Sequence, residues 1–126
     1  MRANATDPQA LLDWLIPRFP GFSASWAVSL HNHGDVTFHG ICAEFGTYYI
    51  HGVEDYGAPE AVALFRMIEN VVATDRVGFH PLSNALCTCF LENIACTRAG
   101  EASVPLMGPQ SYAFFEGWHR PPPYER

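Results

Sequence analysis

The stretch that decides the fold runs from residue 84 to residue 97 and reads Asn-Ala-Leu-Cys-Thr-Cys-Phe-Leu-Glu-Asn-Ile-Ala-Cys-Thr. It is apolar on nearly every side except along a stripe of Asn84, Thr88 and Glu92, a pattern typical of a helix at the centre of a globular protein. Pro81 lies where such a helix would begin, and Gly100 lies where it would end. We therefore expect one central helix that continues through Cys96.

Helical spacing also governs the segments on either side. Apolar residues recur at intervals of three and four after Asp7-Pro8, through residues 38–49, and most regularly from Ala58 to Thr74. Gly108-Pro109 then opens a final helix that reaches Trp118. These stripes predict a core that includes Phe45, Phe65, Ile68, Phe90, Leu91 and Ile94.

Residues 23–36 fit two different structures. Trp26, Val28 and Leu30 alternate as in a strand, and residues 31–35 would then turn a hairpin. Trp26 and Leu30 also fit a short helix that Ser23 would cap. The run is too short for periodicity to decide between the two.

The chain length of 126 residues corresponds to one domain. We predict an all-α fold, a single compact domain over residues 1–126 with five or six helices. Residues 1–6 and 121–126 are expected to be extended tails. The long helices that begin at Ala58 and Ser83 resemble a helical-repeat pair, although a repeat protein needs three or more such units.

The chain is acidic, with a net charge of −6 from thirteen carboxylates and seven arginines. This balance argues against nucleic-acid binding, which needs a basic face, and suits a basic protein partner. No apolar run reaches the ~18 residues of a membrane span, and the first residues lack the apolar segment of a signal peptide. We expect a cytoplasmic protein that binds neither nucleic acid nor membrane.

The reactive side chains form no recognisable catalytic or metal motif. Cys87 or Cys89 would need a nearby base to act as a nucleophile, and none is adjacent in sequence, so the thiols are expected to be buried, free and structural. His31 and His33 lie in a polar segment without a third ligand at short range. His51, near Glu54 and Asp55, fits a solvated helix end better than an acid–base pair. We predict no catalytic, cofactor-binding or metal-binding residue.

Asn93 shares a helical face with apolar residues, so its amide must be hydrogen-bonded if it is buried. We expect its partner in the backbone of the loop before Gly108, where it would lock the last two helices together. Glu92 continues the polar stripe and is expected to be exposed.

Several short motifs together resemble a family of short bacterial all-helical proteins of unknown function. The motifs are Gly34-Asp35 before an aromatic-rich helix, Ile68-Glu69, Phe90-Leu91-Glu92-Asn93, Met107-Gly108-Pro109-Gln110-Ser111 and Trp118. The resemblance covers roughly residues 8–119 and implies a helix rather than a hairpin for residues 23–30. Gln110 stands where this family carries an acid, and the resemblance supplies no catalytic residue.

In size, charge and lack of catalytic machinery the chain is also similar to the immunity proteins encoded beside bacterial toxins. We therefore predict a non-enzymatic, cofactor-free module that binds and neutralises a basic toxin domain. The candidate contact residues are Asp35, Glu54, Asp55, Glu92 and Trp118. The alternative is a small-molecule- or metal-binding enzyme or sensor, because six histidines and seventeen aromatic residues could line a pocket.

Overall fold

The computed structural model describes residues 7–75 and 80–124. Seven helices occupy these residues: α1 (Pro8–Arg18), α2 (Phe22–His33), α3 (Phe38–Gly52), α4 (Pro59–Thr74), α5 (residues 81–94), α6 (Arg98–Ser103) and α7 (Pro109–Glu116). No strand occurs among them, so the all-α class is confirmed. The number of helices is one above the expected range, since α6 forms where a loop was expected.

Local sequence signals explain where the helices begin. The Asp7 carboxylate accepts a hydrogen bond from the Gln9 backbone N–H at 2.9 Å, and Pro8 occupies the first turn of α1, as predicted. Thr37 caps α3 in the same way through the N–H of Gly40. His80 precedes α5 and caps it, because its Nδ1 accepts from the Leu82 N–H at 3.2 Å.

Residues 22–33 form a helix, which decides between the two alternatives for this segment. Phe22 and Trp26 are buried one turn apart. Gly34 ends the helix in the left-handed conformation with φ of 78°, and its N–H donates to the Leu30 carbonyl. The expected cap at Ser23 is wrong, because the helix begins one residue earlier and has no side-chain cap.

The core lies between α3, α4 and α5. All six predicted core residues are at most 2 % exposed. The Phe90 ring centroid lies 5.5 Å from those of Phe45 and Tyr49 and 6.1 Å from that of Phe65. The buried hydroxyl of Tyr49 is hydrogen-bonded to Ser103 Oγ at 2.7 Å, and burial raises the pKa of this phenol.

Helix α5 is central, as predicted, and contacts α3, α4 and α7. It is not uniform: α-helical turns at Pro81–Ala85 and Glu92–Ile94 flank a π-helical segment, Leu86–Leu91. Hydrogen bonds from residue i to i+5 widen the helix there. The helix ends at Ile94 rather than continuing through Cys96, which adopts a positive φ of 59°.

Gly100 does not end α5, and this part of the sequence interpretation is wrong. It is buried inside α6, where α6 crosses the end of α5. Thr97 joins the two helices, because its hydroxyl donates to the Ile94 carbonyl at 2.7 Å and accepts from the Gly100 N–H at 3.1 Å. The chain therefore turns sharply between residues 94 and 98 and starts a new helix.

Of the expected tails, residues 1–6 and 125–126 lie outside the described residues. Residues 121–124 contain no helix, and the Tyr124 hydroxyl returns to His119 Nε2 at 3.0 Å. Within residues 7–75 and 80–124, none of the helices combines the length and apolar character that crossing a membrane requires.

Candidate functional site

The predicted contact residues on either side of α3 lie far apart. Asp35 is exposed in the connection from α2 to α3, whereas Glu54 and Asp55 are exposed in the connection from α3 to α4. The 15-residue helix between them is about 22 Å long. The Asp55 carboxylate accepts from the Gly57 N–H at 2.9 Å, which fixes the acidic turn. These residues therefore form two separate acidic surfaces.

Glu92 and Trp118 lie in the C-terminal half of the protein. Glu92 follows the π-helical segment and is half-buried rather than exposed as expected. Trp118 follows α7 and is 49 % exposed. Its ring centroid lies 6.4 Å from that of Phe114, and its backbone carbonyl accepts from Cys96 Sγ at 3.3 Å. The indole is thus open to solvent on a fixed backbone.

His119 holds the chain in place next to Trp118. Its Nδ1 accepts from the Cys96 backbone N–H at 2.9 Å, and its ring stacks on Phe115 at 4.6 Å. Since Nδ1 is an acceptor, the proton of the neutral ring lies on Nε2. Nε2 contacts the Glu101 carboxylate at 2.5 Å. Trp118 is thus an exposed aromatic ring that precedes His119, and the partner of His119, Glu101, is an exposed carboxylate.

The acidic charge of the protein is not neutralised by its described arginines. Arg18 and Arg120 donate to backbone carbonyls. Arg18 also lies over the Trp14 ring at 4.1 Å. None of Arg18, Arg66, Arg98 and Arg120 forms an ion pair with a described carboxylate. The exposed carboxylates therefore keep their negative charge, which is spread over separate parts of the surface.

Glu69 holds the last helix in place. Its Oε1 accepts from the Ser111 N–H at 2.9 Å and the Ser111 hydroxyl at 2.8 Å, while Oε2 accepts from the Gln110 N–H at 3.2 Å. A carboxylate from α4 thus caps the N-terminus of α7, where free N–H groups favour negative charge. Asn93 donates to the Ala43 carbonyl of α3 at 3.4 Å, a contact that the sequence did not predict, and its expected contact with the loop before Gly108 stays a prediction.

Glu69→Ala is expected to lower the free energy of unfolding by about 2 kcal/mol. The substitution removes a charged acceptor and leaves the buried Ser111 without its partner. Chemical denaturation measures the difference. Glu60→Gln is the matched control, since Glu60 is exposed on the same helix and should change stability by only about 0.5 kcal/mol. Equal stability of the two variants would mean that α7 does not need this cap.

The four thiols are free, as predicted, but only Cys42 is buried. Burial, and then the neighbouring Cys89 and Cys87, raise the pKa of Cys42 above its ordinary value. Burial and then Asp75 raise the pKa of Cys87 to about 11. Cys89 differs from both, because His39 Nδ1 lies 3.1 Å from its Sγ. The sequence interpretation missed this base, which is 50 residues away along the chain.

In the described residues, no three His, Cys, Asp or Glu side chains come together as a metal site would require. His31 and His33 lie in the last turn of α2 and His51 in that of α3, all three exposed. Two open depressions, of about 350 and 260 Å³, flank Arg66 and Asn70 on α4, and neither is lined by a histidine.

With this geometry established, comparison with protein-family models, curated proteins and solved structures finds no match to the chain.

Proposed function

We propose that this chain is a non-catalytic protein-binding module of the short bacterial helical family that it resembles. Its partner would be a cognate toxin domain with a basic surface, which it neutralises in the cytoplasm as an immunity protein. This proposal concerns binding alone and requires neither a cofactor nor a catalytic residue.

The observation that carries the proposal is the set of exposed carboxylates without arginine ion pairs. Among the described residues, Asp35, Glu54, Asp55 and Glu116 are exposed, and no described arginine pairs with them. A partner with Lys or Arg at its active-site cleft would be attracted to this negative charge over long range. Charge complementarity of this kind raises the association rate and excludes partners of the wrong charge.

Trp118 would supply an apolar contact with the partner, which the carboxylates do not provide. Buried Trp residues dominate many interfaces because they cover a large area at low entropic cost. Phe114 and the contacts of Cys96 and His119 fix the chain around Trp118 before any partner arrives. Less ordering is then required on binding.

The proposal is tested with the purified chain and the toxin domain encoded beside its gene. We expect tight binding by calorimetry, and an association rate that falls as NaCl rises from 50 to 200 mM, because salt screens the exposed charges. Cells that express the chain should survive the toxin domain. Failure both to bind the neighbouring gene product and to protect cells from it would overturn the proposal.

Trp118→Ala is expected to weaken this binding by about 30-fold or more, the loss typical of an interface hot spot. Tyr112→Ala is the matched control, because Tyr112 is a 41 % exposed aromatic residue on α7, the helix that Trp118 follows. Tyr112 precedes Phe114, the neighbour of Trp118, by two residues and so points about 200° away from it around the helix. Equal affinities of the native chain and Trp118→Ala would show that the interface lies elsewhere.

A further inference from the structure

The π-helical segment of α5 brings a thiol next to a base. Cys89 Sγ lies 3.1 Å from Nδ1 of His39, a residue in the first turn of α3. The imidazole is exposed and the thiol is half-buried, so the pair lies at the outer edge of the packing between α3 and α5. The contact joins residues 50 positions apart and depends on the fold.

The local helix geometry explains why Cys89 reaches this edge. Within the segment Leu86–Leu91, Leu86, Phe90 and Leu91 are buried and Thr88 is exposed. Cys89 lies on the flank between these two sides, half-buried. Single π-helical turns occur inside α-helices frequently at functional sites, because the extra residue changes where the side chains point.

The four thiols have different chemical environments. Cys42 and Cys87 are held in the protonated form, mainly by burial. Cys96 Sγ donates to the Trp118 carbonyl, and it is the backbone N–H of Cys96, not its thiol, that contacts His119. Cys89 is therefore the one thiol that faces an imidazole nitrogen in the described residues. A base at hydrogen-bond distance is what activates a weak sulfur nucleophile.

We propose that Cys89, with His39 as its base, is a site of covalent S-thiolation by low-molecular-weight disulfides. Cys89 Sγ attacks one sulfur of a disulfide R–S–S–R as His39 Nδ1 takes up the thiol proton. The bond from Cys89 Sγ to that sulfur forms and the S–S bond of the reagent breaks. The leaving thiolate receives the proton from His39, so that R–S–H departs. The cysteine is oxidised, the departing sulfur is reduced, and the disulfide supplies the oxidising equivalents.

A disulfide fits this site better than a substrate that must be held for turnover. Disulfide exchange needs an accessible sulfur and a proton acceptor but no pocket around the electrophile. The pair lies at an open edge of the helices, and no described side chain other than Cys89 hydrogen-bonds to the His39 ring to orient it. The product is a stable mixed disulfide whose added group projects from the junction of α3 and α5.

The test measures which thiol reacts, and how fast, with a limiting amount of oxidised glutathione at fixed pH. We expect peptide mapping by mass spectrometry to find the first adduct on Cys89. Cys89→Ser should remove the fast phase. Denaturant should make all four thiols react at similar rates, because the selectivity comes from the fold. A first adduct on Cys96, Cys87 or Cys42 would overturn the proposal.

Substitution of His39 distinguishes base catalysis by the imidazole from the effect of solvent exposure of the Cys89 thiol. His39→Ala uncovers the sulfur and removes the base, so an exposure effect predicts faster reaction, whereas our proposal predicts a rate at least tenfold lower. His39→Gln keeps the bulk of the side chain but removes the base, so this variant should also react slowly. Free imidazole added to His39→Ala should restore part of the reaction rate. His31→Gln, which changes an exposed histidine on α2, is the control. An undiminished rate in both folded His39 variants would refute the role of the imidazole.

Discussion

Phe90→Ala is expected to lower the free energy of unfolding by about 3–5 kcal/mol, the range found for truncation of a buried phenylalanine. Phe90 is 1 % exposed, and its ring contacts those of Phe45, Tyr49 and Phe65. A small apolar void of about 10 Å³ already lies beside it. Removal of the ring would enlarge this void at the point where α3, α4 and α5 meet.

The loss should be visible as a fall in melting temperature of about 10–20 °C. The total stability of a domain this size is about 5–15 kcal/mol, so the variant would approach the limit of folding. Tyr112→Ala, which truncates an exposed aromatic residue on α7, should change the free energy of unfolding by only about 0.5 kcal/mol. A melting temperature of Phe90→Ala close to that of the native chain would place Phe90 outside the cooperative core.

The core could be predicted from the sequence because it depends on local periodicity. In α4, the stripe of Ala61, Leu64, Phe65, Ile68 and Val71 is buried as its spacing indicates. For residues 23–30, the apolar alternation over eight residues also fitted a strand. Tertiary contacts decide this case, since Phe22 packs edge-on against Phe45 of α3 with centroids 5.1 Å apart.

The polar contacts could not be predicted, because they join positions that are distant in sequence. Glu69 and Ser111 are 42 residues apart. They belong to two separate motifs of the family resemblance, and that resemblance does not show that the two motifs are in contact. Asn93 was correctly expected to be hydrogen-bonded, but its partner depends on how α3 crosses α5. The pair of His39 and Cys89 also requires the π-helical segment, for which the sequence carried no recognised signal.

The same limit applies to Gly100, since a glycine after an apolar run is the usual signal for a helix end. Here α5 ends earlier, at the turn formed by residues 95–97. Gly100 instead allows α6 to approach the end of α5 closely. A Cβ atom at residue 100 would lie inside van der Waals contact with the Ile94 carbonyl oxygen, and 3.1 Å from Cζ of Phe115. The carbonyl belongs to the backbone and already accepts from Thr97, so it has little freedom to move.

Gly100→Ala is therefore expected to lower the free energy of unfolding by about 3 kcal/mol, the upper part of the range for overpacking. Helix propensity alone predicts the opposite sign, a gain of about 1 kcal/mol for alanine over glycine. Gly117→Ala is the matched control, because its Cβ would make an ordinary contact at 3.4 Å from the Phe114 carbonyl oxygen. Denaturation in urea should show Gly117→Ala to be neutral or more stable and Gly100→Ala to be much less stable. If both glycine variants gain stability, α6 is free to move away from α5, and the close approach at Ile94 does not require a glycine.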